Sequence, residues 1–284
     1  MRIAQLLPVL LTLMPVAAQA QNAPFWRNVD ISRQLRDTMP QRIRVQYGAG
    51  RVDIRGSSDA MLYAMHLRYD ERWAVPLHRY DADQRSAALG LESRGSGLRH
   101  AGERGESGEL RLTLPRAVPL DLDMEFGGTQ STLDLGGMTL RSLRLDCGAT
   151  DANLLFSRPN RVRMRDLEIN VGAADFSAMM LANANADQIR LRGGVGSVDL
   201  DFGGAWTHDL AVTTRLAVGK LTLHVPGDVG VRLELQRLAA GFEHPGFIKR
   251  DDAWYSPNYE QATYKLRIRA ETFLGQVEMQ HVAR

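Results

Sequence analysis

Glycines recur through the middle of the chain at Gly127, Gly148, Gly172, Gly196 and Gly219, with spacings of 21, 24, 24 and 23 residues. Each one marks a switch in an alternating apolar pattern. Before each glycine the apolar residues fall at odd offsets: Phe126, Cys147, Val171, Val195 and Val218 one residue before, and Leu122, Leu143, Leu167 and Leu191 five before. After it they fall at even offsets: Ala152, Phe176, Leu200 and Leu223 at four, and Leu133, Leu154, Phe202 and Val225 at six. Period-two alternation is the signature of a strand with one buried face. A straight strand keeps one parity, so the switch places a bend at each glycine, the residue least hindered at a corner. Units of this size cannot bury their apolar face alone, and stacking them as coils makes one continuous core. The pattern predicts an all-β, single-stranded β-solenoid with coils of about 21–24 residues. The competing arrangement is an antiparallel sandwich with glycines spaced by chance.

The same register fits both ends. Ile43, Val45 and Tyr47 precede Gly48, with Val52 and Ile54 after it. Leu274 precedes Gly275, with Val277 and Met279 after it. Four residues before the repeat glycines lie Asp123, Arg144, Glu168, Arg192 and Arg215. In a parallel stack these become neighbours, mostly of opposite sign, at ~0.2–1 kcal/mol per exposed pair. Helix has little room: Val29 to Met39 fits a short one closed by Pro40, and Ser177 to Asp187 fits strand followed by a turn. Ser93 to Gly108, rich in Gly, Ser and charge, reads as an exposed loop.

The chain has 284 residues, 44% hydrophobic and 24% charged, which excludes a disordered chain. The net charge is +2, which argues against bulk nucleic-acid binding. One cysteine excludes a disulfide framework and a CxxC-type zinc site. Residues 1–20 read as a secretory signal: Arg2, an apolar run from Leu6 to Val16, and Ala18-Gln19-Ala20 before a cut after Ala20. Gln21 follows the cut, so no lipid anchor is expected, and no later stretch is long enough to span a membrane. The expected organisation is signal peptide 1–20, an N-terminal lead-in 21–40 holding the short helix, and a single β-solenoid domain 41–284. The mature chain is expected in the periplasm or outside the cell.

Several segments carry a resemblance. They are Tyr47-Gly48-Ala49-Gly50-Arg51-Val52-Asp53-Ile54, Leu110-Arg111-Leu112-Thr113-Leu114-Pro115, Gly193-Gly194-Val195-Gly196-Ser197-Val198-Asp199-Leu200 and Val225-Pro226-Gly227-Asp228-Val229-Gly230-Val231. The series ends with Tyr255-Ser256-Pro257-Asn258-Tyr259 and Tyr264-Lys265-Leu266-Arg267-Ile268. In this order the chain resembles the bacterial toastrack β-solenoid proteins, the group of the DUF4097 domains and the C-terminal domain of LiaF-like envelope-stress proteins. The resemblance covers roughly residues 41–282. It implies a right-handed solenoid without catalytic residues, and a link to envelope-stress sensing. An export signal without membrane helices departs from the LiaF-like pattern.

Catalytic and cofactor motifs are missing. There is no HExxH, no GxSxG and no P-loop. No catalytic, cofactor-binding or metal residue is therefore assigned, and no cofactor is expected. Cys147 shares the apolar register and reads as a buried, inert thiol. Asp151, Asp175 and Asp199 each lie three residues after a glycine, and would form an acidic row that either binds a cation or is simply solvated. Residues 242–264 mix aromatics with charge and read as a C-terminal cap over the solenoid end. Trp254, Tyr255 and Tyr259 are the candidate partner-binding residues there. The expected function is an exported, non-enzymatic envelope interaction or scaffold module. Its partner would be an envelope protein or polysaccharide, not nucleic acid. The alternatives are a carbohydrate-binding or carbohydrate-active solenoid and a self-assembling adhesin-like surface protein.

Overall fold

The computed structural model describes residues 24–94 and 108–282. The expected signal peptide and most of the Ser93–Gly108 loop lie outside them. Along the chain come β1 (Trp26–Gln34), β2 (Gln41–Ser57), β3 (Met61–Asp70), β4 (Ala74–Asp81), β5 (Ser86–Ser93), β6 (Glu109–Pro115), β7 (Pro119–Asp134) and β8 (Thr139–Leu155). Then follow β9 (Met164–Met179), β10 (Ala186–Asp201), β11 (Leu210–Pro226), β12 (Gly230–Glu243), β13 (Ile248–Arg250), β14 (Ala253–Tyr255) and β15 (Lys265–Val282). All belong to one open sheet. A 3-10 turn at Leu181–Ala184 separates β9 from β10.

Strands β7 to β11 pair in sequence order, parallel and nearly in register. That pairing dictates their shape. A straight strand of 16 residues would be ~53 Å long. Only residues 135–138 separate β7 from β8, and a link that short reaches less than ~20 Å. Each strand must therefore double back on itself, and it does so at the glycine. Each coil is one long strand folded into two arms, with the apolar faces of the arms packed against each other. Met124, Leu145, Ile169 and Leu191 stack in one arm, and Leu133, Leu154, Ala178 and Leu200 in the other, all buried. This is the predicted all-β solenoid.

The corner register differs from the glycine spacing in one place. Gly172 pairs with Gly194, because Val171 sits beside Gly193 and Ala173 beside Val195. Gly196 instead pairs with Gly219, which pairs with Gly275. The alignment slips by two residues between β9 and β10. Parity survives a slip of two, so the inside of each arm stays inside. At the corner itself the slip matters. Val195 and Val218, expected beside Val171 in the core, are exposed.

The order of coils is sequential only in the middle. At the C-terminal end β15 lies between β11 and β12, parallel to both. At the N-terminal end β2 lies between β7 and a composite coil whose arms are β5 and β6. The first and last long strands are thus held on both sides, which protects chain ends that otherwise fray. Antiparallel strands close the outer coils: β4 lies on β5, and β3 on β6 with β1 beyond it.

The expected short helix over Val29 to Met39 is not formed, and the lead-in is instead the edge strand β1. Val29 and Ile31 alternate with exposed residues and pair with Leu67 and Met65 of β3. A period of two against an available sheet edge outweighs local helix propensity. Ser177 to Asp187 does run as strand and then turn, but the turn, expected at Asn183 to Asp187, lies at Leu181–Ala184 and β10 has begun by Ala186.

Opposite the glycine corners, buried asparagines stitch the return loops together. The Asn160 side-chain amide donates to the Leu140 carbonyl at 2.8 Å, and its Oδ1 accepts from Leu140 N–H at 2.8 Å. Asn183 donates to the Phe156 carbonyl at 2.9 Å and accepts from Ala205 N–H at 2.8 Å. These amides satisfy loop backbone groups that no strand can reach.

Candidate functional site

Residues 242–264 close the C-terminal end of the stack. β14 runs antiparallel to β12, pairing Leu233 with Trp254 and Arg232 with Tyr255, and β13 pairs with β14. The following turn is tied down by Ser256, whose Oγ accepts from Val231 N–H at 2.8 Å, and by Asn258, which donates to the Gly227 carbonyl at 3.1 Å. The cap covers the first arm of β12 and leaves fewer backbone groups unpaired at the sheet edge.

Strand alternation sends the three candidate residues to two places. Trp254 lies on the side of buried Leu233 and packs on the core. Its ring lies 3.9 Å from that of His244 and 5.3 Å from that of Phe242. It plugs the end of the core. Tyr255 faces the other way, beside Arg232, whose Nε donates to the Tyr255 hydroxyl at 3.0 Å. Tyr259 meets the Tyr255 ring edge-on at 5.0 Å. The guanidinium of Arg250 lies 5.8 Å from the Tyr255 ring, and the Lys265 ammonium 5.3 Å from the Tyr259 ring. So the structure brings Tyr255 and Tyr259 together, half-buried, in a frame of cations, and leaves Trp254 out of it. Arg232, Arg250 and Lys265 were not singled out from sequence. No local signal joins Arg232 to Tyr255; the antiparallel pairing of β12 with β14 does.

That cluster continues into a charged face formed by the outer sides of the first arms. Hydrogen-bonded neighbours run Arg44, Asp123, Arg144, Glu168 and Arg190 across five coils. Arg190, not Arg192, stands beside Glu168, because of the slip at the corner. The Arg192 guanidinium still reaches Glu168 at 3.1 Å, and Arg144 reaches it at 3.6 Å. Further along, Arg215 meets Glu271 at 2.9 Å and Arg269 meets Glu234 at 2.9 Å. Arg232 also pairs with Glu234. The hydrogen bond from Arg269 leads in holding the Glu234 carboxyl below its ordinary range, against the opposing effect of burial. Burial would push the Asp121 carboxyl up, but Arg141 and Ser142 donate to it and hold it down. Exposed pairs of this kind are worth ~0–1 kcal/mol each. Their effect is to fix register and to neutralise the face.

The acidic row does not form as expected. Asp151 and Asp175 are neighbours, but the next residue in the row is Ser197, followed by Lys220. Asp199 lies one step further along its arm and pairs with His224 at 3.0 Å. Among the described residues no group of three His, Cys, Asp or Glu is placed to hold a metal ion. His208 and Asp209 diverge: His208 meets the Ala186 carbonyl, whereas Asp209 accepts from Lys265 N–H and from Arg267. A crevice beside Trp206 and His208 has room for about one water molecule.

Cys147 is buried between Phe126 and Val171. Burial, aided by the nearby Asp146 charge, pushes its thiol up to about 12. A thiolate is the reactive form. A thiol reagent is therefore expected to leave the native protein unlabelled and to label one site once denaturant unfolds it. Rapid native labelling would show that the coil register around Cys147 is wrong.

No helix among the described residues is long and apolar enough to cross a membrane. Among curated proteins none matches the chain. The solved structure of a "putative cell adhesion protein" from Clostridium sporogenes is similar, at 16% identity and a TM-score of 0.47, covering 92% of this chain and 100% of that one. That of a "putative adhesin" from Bacteroides fragilis is similar at 9% identity and a TM-score of 0.42, covering 89% and 97%. Residues 26–165, from the first edge strand through the third of the long parallel coils, match the family described as the N-terminal domain of toast_rack, DUF2154. Residues 26–165 thus carry a toast-rack N-terminal domain, and the doubled-back strands stacked along one open sheet are those of a toast-rack β-solenoid.

Proposed function

We propose that this chain is an exported, non-enzymatic β-solenoid that serves as an interaction module of the bacterial envelope, and that the cap cluster of Tyr255, Tyr259, Arg232 and Arg250 is its contact surface. The carrying observation is the convergence of two half-buried tyrosines and two arginines on a cap that backbone and side-chain bonds hold in place. Tyr and Arg dominate the residues that carry binding energy at interfaces. A surface held on rigid elements loses little entropy on binding. The face beside it is laced with opposite charges that pair across coils, as suits a scaffold wall, rather than with two close acids set in a groove among aromatics. Such a groove would favour a carbohydrate-cleaving solenoid.

The test is retention of components from an envelope extract by the purified protein. Tyr255→Ala with Tyr259→Ala is expected to lose a retained envelope protein or polysaccharide while the circular dichroism spectrum and melting temperature stay close to wild type. Trp254→Ala should instead lower stability by about 2–4 kcal/mol, because it empties the core plug. Retention that survives loss of both tyrosines would move the contact surface to the charged face.

A further inference from the structure

Large apolar side chains gather on one edge of the solenoid that neither the cap nor the charged face uses. At the glycine corner, β2, β7, β8 and β9 carry only glycine and alanine. From β10 onward the same edge changes character. Val195 is 57% exposed, Val218 39%, Leu274 48%, Phe273 61% and Leu238 80%. Pairing places Val195 beside Val218, Val218 beside Leu274, and Phe273 next to Leu238. The five side chains form one ridge across four neighbouring coils, ~14 Å long at the strand spacing. Scattered surface apolar residues need no explanation, but a contiguous ridge does.

The shape and surroundings of the ridge favour one occupant. The chain doubles back here around its core, so the ridge is convex. It offers five large side chains, where a stable protein interface uses about 20–30 residues a side. Two such edges meeting in a dimer would touch along a line. A lipid surface, in contrast, yields to a narrow convex edge. Within three residues of the ridge along the chain stand Arg192, Arg215, Lys220 and Arg237, against the single acid Glu271, which Arg215 meets at 2.9 Å. Glu168 and Glu278, which pair with Arg192 and Lys220, lie one step further down the arms. Apolar tips set within a belt of cations are the arrangement that docks on anionic headgroups.

We infer that the corner ridge of Val195, Val218, Leu238, Phe273 and Leu274 docks this protein on an anionic lipid surface, edge-on. The contact is peripheral: the tips reach the headgroup and acyl boundary, and the cations bind lipid phosphates. Docking of this kind leaves the cap free and engages the charged face only at its rim, through Arg192 and Arg215. It does not depend on the cap being a partner site.

The experiment is flotation of the purified protein with vesicles of phosphatidylethanolamine and phosphatidylglycerol, with phosphatidylcholine vesicles in parallel. Wild type is expected to float with the anionic vesicles, less so at high salt, and not with the neutral ones. Leu238→Ser with Phe273→Ser is expected to lower the vesicle partition coefficient by about tenfold or more. Met39→Ser, an exposed methionine outside the ridge, should leave it unchanged. Both variants alter exposed side chains, and an unchanged melting temperature verifies that each is folded. Absence of flotation by folded wild type overturns the inference, as does flotation that the ridge variant retains. A wild-type dimer in sedimentation velocity that the ridge variant dissolves would assign the ridge to a second copy and also overturn it.

Discussion

Gly219→Ala is expected to leave the protein unfolded, or destabilised by about 3 kcal/mol or more. The reason is the tightness of the stack at the corner. Gly219 has φ of +141°, a conformation that side-chain-bearing residues rarely adopt, and a Cβ there would lie 1.8 Å from the Gly196 carbonyl oxygen. That oxygen belongs to the backbone of the next coil and cannot swing away. Gly275, paired with Gly219 from the other side, is built the same way: φ of +128° and a Cβ position 1.8 Å from the Gly219 carbonyl oxygen. Backbone strain of this kind alone costs of order 1–3 kcal/mol, and the clash adds to it by forcing neighbouring coils apart. Equilibrium unfolding in urea checks the magnitude. A variant as stable as wild type would mean that the coils do not approach so closely at the corner. Gly227→Ala is the control, because a Cβ there meets nothing within 4 Å and φ is unremarkable. Its expected change is within ~0.5 kcal/mol.

Val171→Asp and Val195→Asp are expected to differ sharply although the glycine spacing treats the two positions as equivalent. Val171 is buried beside Cys147 and Gly193, whereas Val195 is exposed on the corner. Val171→Asp places an unpaired carboxyl in the stack and is expected to cost ~3–5 kcal/mol at neutral pH, enough to unfold a marginal domain. Val195→Asp should fall within ~0.5 kcal/mol. The pH dependence has a definite sign. Burial raises the pKa of the introduced carboxyl in the folded state above its value of ~3.9 in the unfolded chain. The folded state then binds the proton more tightly, so the penalty is smallest below pH ~4 and grows as pH rises through the raised folded value. Urea midpoints of Val171→Asp relative to wild type, measured from acid to neutral pH, should show this widening gap. Equal midpoints for Val171→Asp and Val195→Asp would restore the register read from glycine spacing.

The two valines also show where the sequence stops being informative. Gly193-Gly194-Val195-Gly196 offers two glycines able to stand at the corner, two residues apart. Both choices keep the inward residues inward, so hydrophobic pattern cannot separate them. Both glycines are needed where they stand: a Cβ on Gly194 would lie 2.6 Å from the Gly172 carbonyl oxygen and one on Gly196 1.9 Å from that of Ala174, both on β9, while Gly196 also pairs with Gly219 of β11. One coil therefore uses both glycines: Gly194 aligns with Gly172 of β9, and Gly196 with Gly219 of β11. That choice splits the acidic row, moves Arg190 beside Glu168 and puts Val195 in solvent.

The candidate site divides in the same way. The alternation of Ala253-Trp254-Tyr255 is legible and places Trp254 and Tyr255 on opposite faces. Which face meets the core depends on Leu233, which pairs with Trp254 only after the chain has turned back through β13. The partnership of Tyr255 with Arg232 spans 23 residues, and nothing local in either segment announces it.

The sequence by itself determined the long strands, their bends and the inward face of each arm, because period-two alternation and glycine at the parity switch are local properties of the chain. It also excluded a disulfide-stapled or metal-knuckle scaffold. Tertiary structure decided the order of the coils, with β15 inserted between β11 and β12 and β2 enclosed by its neighbours. It decided the register between coils and which corner side chains meet solvent. Parallel pairing rewards any neighbour with a matching arm. The sequence therefore specifies an arm that can pair, and only the assembled stack settles which arm it pairs with.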